Sequence, residues 1–141
     1  MLLEKLKADD DRINIKKMNS DDNDLPSLSG GYIVKADKIE GEEILAWEMP
    51  SSSGWVTSYA LENPKSDEIS DSQKNYIQNI FERLEKTAQQ GDISIIDGYP
   101  SVIDLPSFID FMIINEYASN VDAYQFSTFF HKDRNLSLIH I

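Results

Sequence analysis

At 141 residues, 40% of them hydrophobic and 10% aromatic, the chain has the material for one folded domain with a core and too little for a multidomain enzyme. Its 25 Asp and Glu against 13 Lys and Arg leave a formal charge of -12, which repels phosphate backbones and anionic surfaces and argues against nucleic acid as a partner. With no cysteine there is no disulfide framework, thiolate metal site or cysteine nucleophile, and no apolar run approaches the roughly 20 residues of a spanning helix, so no membrane insertion is expected.

Residues 2–18 read as a hairpin: an apolar segment at 2–6, the turn cluster Asp9-Asp10-Asp11-Arg12, then Ile13-Asn14-Ile15 in strand alternation. Met1-Leu2-Leu3-Glu4-Lys5 is too short and too charged for a signal peptide. The acidic stretch Ser20-Asp21-Asp22-Asn23-Asp24 fails as a calcium loop, because later ligand positions fall on Pro26 and Leu28 and no Glu closes the frame. It reads as a solvated loop. Gly30-Gly31 release the chain into the strand Tyr32-Ile33-Val34-Lys35-Ala36, and Glu40-Gly41 offers a turn into Ile44-Leu45-Ala46-Trp47. A Ser51-Ser52-Ser53-Gly54 loop leads to a further strand at 55–61, which Asn63-Pro64 stops, so a β-meander is expected.

After Pro64 the period changes. Ile77, Ile80, Phe81, Leu84 and Ala88 predict a helix between 71 and 90, with Glu82 and Lys86 paired four apart and Gly91 at its end. A second helix is predicted over 105–118, with Asp104 as N-cap and Pro106 in the first turn. Phe108, Ile109, Phe111, Met112, Ile113, Ile114 and Tyr117 make it apolar on nearly every side, which suits the centre of something larger. Asn120-Val121-Asp122-Ala123-Tyr124 follow, then an aromatic strand at 125–131 and the turn Lys132-Asp133-Arg134-Asn135. The last six residues, Leu136-Ser137-Leu138-Ile139-His140-Ile141, read like the translation of a sequencing-library adapter, although their Leu/Ile alternation also suits a short strand. The domain is expected to occupy 1–135, truncated at both ends, with 136–141 an adapter-derived tail that is not native.

No glycine pattern makes a P-loop or dinucleotide fingerprint, and no Gly-x-Ser-x-Gly elbow exists. Outside the last six residues His131 is the only histidine, so neither a serine triad nor a histidine metal cluster can be assembled. Asp122 stands at the end of an apolar helix and just before a strand, where a carboxylate can be held over a cleft to accept a hydroxyl proton; the pattern by itself favours an Asp that caps its own turn. Lys35, on a strand after two glycines, can reach a nucleotide phosphate or simply face solvent. The residues by themselves describe an acidic α+β domain in which a β-meander with hairpins precedes helices.

The chain also resembles the spore coat protein H (CotH) kinase-like family. The likeness is carried by Leu3-Glu4-Lys5, Asp11-Arg12-Ile13-Asn14-Ile15, Gly30-Gly31-Tyr32-Ile33-Val34-Lys35-Ala36-Asp37, Gln73-Lys74-Asn75-Tyr76-Ile77, Ile103-Asp104-Leu105-Pro106-Ser107-Phe108-Ile109-Asp110-Phe111, and Asn115-Glu116 through Asn120-Val121-Asp122. The resemblance implies part of an atypical protein-kinase-like, two-lobed domain that uses ATP and magnesium to phosphorylate serine-type hydroxyls of a protein substrate. It implies that Asp122 is the catalytic-loop aspartate, that Lys35 contacts the nucleotide, and that Ser127 stands where family members carry a metal-binding Asn. The family's main metal-binding Asp lies in a Trp-Asp-aromatic segment past the final strand, so these residues alone are expected not to turn over ATP. The other reading is a non-catalytic surface-binding or scaffold module that keeps the fold. An extracytoplasmic place, secreted or at the cell surface, is implied by the resemblance alone.

Overall fold

A computed structural model describes residues 8–9, 11–51, 54–124 and 126–140. The predicted strand at 2–6, Asp10 of the first turn, the middle serines of the 51–54 loop, Gln125 and Ile141 lie outside the described residues. Three strands come first, β1 (Tyr32–Ala36), β2 (Leu45–Pro50) and β3 (Val56–Asn63); the helices α1 (Asp71–Gln89) and α2 (Leu105–Ala118) follow, and β4 (Thr128–Lys132) and β5 (Ile139–His140) complete the order. They form one antiparallel sheet in the order β2-β3-β1-β4-β5. The architecture is α+β, as strands followed by helices predict.

Only β2 and β3 pair as chain neighbours among the first three strands, so the meander is partial. β1 takes the centre between β3 and β4. Its sequence explains the place: Tyr32, Ile33 and Val34 are successive apolar residues, and their exposures of 0%, 1% and 0% mean that both faces of the strand are covered. At its entrance a Cβ on Gly31 would run into the Lys16 carbonyl, and one on Gly30 into the Asp133 carbonyl. The double glycine therefore marks close backbone approach from two sides as well as a break in the pattern. Upstream, the expected hairpin reduces, in the described residues, to the turn at Asp9–Arg12 and a single bridge between Ala8 and Ile13. The 19–24 loop docks on α1, where buried Gln73 donates from Nε2 to the carbonyls of Asn19 (2.6 Å) and Asp22 (3.1 Å).

α1 begins as its sequence dictates. Ser70 accepts from the Gln73 amide while the Gln73 side chain accepts from the Ser70 amide, closing a capping box, and Gly91 adopts φ 62 after the last turn. Its apolar stripe lies on the sheet: Ile77 and Phe81 are buried, and the Phe81 ring sits 5.2–5.5 Å from the rings of Tyr59, Phe130 and Trp47. Burying such a side chain contributes roughly 1.5–3 kcal/mol. On the outer face Glu82 accepts from Gln78, one turn earlier, rather than pairing with Lys86.

α2 spans the predicted residues, with Asp104 accepting from the Ser107 amide and Pro106 in the first turn. It is not central in this chain. Phe108 packs on Phe130, but Ile113, Ile114 and Tyr117 are 62%, 65% and 92% exposed, and Asn115 is the one residue of the helix that is buried. Residues 136–140 pack on the rest of the chain: Leu138 is fully buried, exchanges hydrogen bonds with Val102 and Asp104, and leads into β5, where Ile139 pairs with His131. β4 starts three residues later than the predicted strand because Ser127, at φ 51, cannot continue an extended ladder.

Candidate functional site at the mouth of β1 and β4

Asn115 is the polar residue that an apolar helix buries, and its hydrogen bonds show why. Its Nδ2 donates to the Phe111 carbonyl at 2.8 Å, and its Oδ1 accepts from Asn120 Nδ2 at 2.8 Å. The Asn120 amide also bonds the Asn115 carbonyl, after Ser119 ends the helix in the left-handed region at φ 50. The chain leaving α2 is thus fixed to the helix by two asparagines. From there Asn120 Oδ1 accepts a long bond from the Asp122 amide (3.4 Å), and the Asp122 carbonyl accepts from the Phe126 amide (3.1 Å). The residue whose side chain turns back on its own backbone is Asn120. Asp122 is exposed, and among the described residues its carboxylate accepts no hydrogen bond.

The same turn is held at its flank by Tyr124, whose hydroxyl donates to Glu116 Oε1 at 2.9 Å; desolvation and then this carboxylate raise the phenol above its usual value. It closes on Ser127. In the β1–β4 register Ala36 faces Thr128, so the next residues outward, Asp37 and Ser127, meet at the mouth of the pair. Ser127 Oγ donates to Asp37 Oδ2 at 3.4 Å.

Lys35 precedes Asp37 by two positions and so shares its side of β1. Its side chain is only 11% exposed, its ammonium donates to Glu43 in the β1–β2 connection, and Asp37 Oδ2 stands 3.9 Å away. The free solvent lysine that the strand pattern also allowed is therefore not what is found. Glu43 in turn borders a cleft of about 360 Å³ lined by Glu42, Ile44, Leu61, Glu62, Lys65 and Asp67. Lys65, the one cation there, is itself paired with Glu62 at 3.0 Å, so the cleft repels a polyphosphate.

Of the three residues singled out by sequence, the fold brings Lys35 and Ser127 together through Asp37, and Asp122 stands at the start of the turn that ends on Ser127. Asp37, Glu43, Asn115 and Asn120 complete the arrangement. A signal for Asp37 was present, since positions 35 and 37 of a strand share a face, and so was one for Asn115, an amide inside an otherwise apolar helix. Among the described residues no three His, Asp or Glu side chains gather around a common metal position. His131, in β4, is partly buried with Nδ1 unpartnered.

No curated protein and no solved structure matches the chain. A family model described as CotH kinase protein matches residues 1–140, which takes in Gly30-Gly31, both helices and the Asn115–Asp122 turn. The chain belongs to the CotH kinase protein family.

Proposed function

We propose that the chain carries the acceptor side of a CotH-like atypical protein kinase, which transfers phosphate from ATP to serine-type hydroxyls of surface or coat proteins outside the cytoplasm. The observation that carries this reading is Asp122: an exposed carboxylate with free acceptor positions, on a turn pinned to α2 by Asn115 and Asn120. A serine hydroxyl that donates to Asp122 has its oxygen aligned for attack. As the new P–O bond forms and the bond to the ADP oxygen breaks, the hydroxyl proton passes to Asp122 and then to solvent. Asn115 and Asn120 prevent the turn from yielding, and such orientation is a main part of catalysis when little covalent chemistry is asked of the protein.

ATP and magnesium are the donor and the counter-ion that this reading calls for. Among the described residues no group of three could hold magnesium: Asp37 and Glu43 are engaged by Lys35, and Ser127 offers one hydroxyl. No step is drawn through the metal, and these 141 residues by themselves are expected to transfer no phosphate.

A second reading, a non-catalytic binding or scaffold module, is favoured by one observation: the apolar side of α2, where Ile113, Ile114 and Tyr117 face water. The two separate when the product of the native gene is incubated with radiolabelled ATP, magnesium and casein. Label on casein serine supports the kinase; a folded product that leaves casein unlabelled supports the binding module.

A further inference from the structure

We infer that Asp37 is the positioning residue of this site: it holds the turn that begins at Asp122 in place against Lys35. The inference rests on the phosphotransfer reading only for its effect on rate.

Asp37 is anchored on three sides. Its amide donates to the Ser58 carbonyl of β3 at 3.2 Å, and its Oδ1 accepts from the Lys38 amide at 2.9 Å, which fixes the carboxylate plane. Oδ2 is left to face Ser127 Oγ and the Lys35 ammonium. The neighbouring residue acts in the same direction, because Lys38 Nζ lies 4.8 Å from the centre of the Phe126 ring. Two adjacent residues at the end of β1 thus grip two adjacent residues of the turn, and Phe126 is the residue whose amide reaches the Asp122 carbonyl.

The turn needs such a grip. Tyr124 and Ser127 both lie in the left-handed region, at φ 74 and 51, where residues other than glycine persist only when their surroundings hold them. Glu116 holds Tyr124 from α2, and Asp37 holds Ser127 from β1. Because Asp37 also faces Lys35, one carboxylate joins the lysine of β1 to the end of the turn that begins at Asp122.

The test is amide exchange followed by NMR on the protein, with Phe126 as the reporter and Leu61 of β3 as the measure of global opening. Asp37→Ala is expected to speed Phe126 exchange by about tenfold or more and leave Leu61 unchanged. Asp37→Asn, which still reaches Ser127 but turns an amide toward Lys35, is expected to restore slow exchange. Ser127→Ala removes the partner hydroxyl and is expected to act like Asp37→Ala, so the inference stays testable if that variant does not fold. In phosphotransfer to casein by the native gene product, Asp37→Ala and Asp37→Asn lower kcat roughly tenfold to a hundredfold with KM for casein held. Unchanged Phe126 exchange, or equal acceleration at Leu61, overturns the inference. Selective acceleration in a protein that labels no casein supports the positioning role and removes the phosphotransfer reading alone.

Discussion

Gly31 and His131 show how single residues report the fold. Gly31 sits at φ 96, where a Cβ would press on the Lys16 carbonyl and the Met18 amide. A methyl group there meets backbone that cannot swing aside, in a conformation that L residues rarely adopt. Gly31→Ala is therefore expected to destabilise the protein by roughly 3 kcal/mol, read from the urea midpoint. A change below about 0.5 kcal/mol would show that the 16–18 segment does not press on β1. His131 is pulled below its ordinary value of 6.5 by burial, with Asp133 opposing more weakly. A depressed folded value means that the unfolded chain binds the proton more readily, so the stability tied to neutral His131 is present above pH 6.5 and is lost as pH falls through the lowered value. The melting temperature of the wild type should accordingly drop more steeply with acidification just below pH 6.5 than that of His131→Gln. Asp22 and Glu68, both held below their ordinary values of 3.8 and 4.5 chiefly by backbone hydrogen bonds, act in a lower window common to both proteins. Parallel curves above that lower window would remove His131 from the account. The sequence made Gly31 legible as a break and left the reason hidden, since the pressing carbonyl comes from a segment of irregular backbone that no period announces.

At the scale of elements, the helices were the most legible because their signals are local. The apolar period of α1 and the Asp104 and Pro106 start of α2 lie within a few residues of the turns they govern, and both helices form where those signals put them. Strand order was less legible. β1 pairs with β3 and with β4, which arrives after both helices, and no local pattern states that choice beyond the three buried residues in succession. β5 shows the same difficulty, because the adapter-like text of residues 136–141 has a short-strand alternation that only tertiary packing brings into use. Leu138 is fully buried against the start of α2 and the bridge at Ile103, so Leu138→Ala is expected to cost about 2–5 kcal/mol in chemical denaturation. A neutral substitution would show that Leu138 is not packed as described.

For the whole molecule, family membership is read along the length of the chain, and the candidate site from one contact within it. The family match runs over residues 1–140, whereas the site is made by a contact between residues 90 positions apart, Asp37 and Ser127. Lys35, Asp122 and Ser127 were legible singly; their relation was not, because it depends on β4 lying beside β1. The most direct measurement is therefore the turnover of Asp122→Asn beside the wild type, made on the product of the native gene with ATP, magnesium and casein, at a temperature where both are shown by melting to be folded. The account predicts that kcat falls about a hundredfold or more while the melting temperature stays where it was, since Asp122 is exposed and supports no other described residue through its side chain. Undiminished transfer by Asp122→Asn would contradict it.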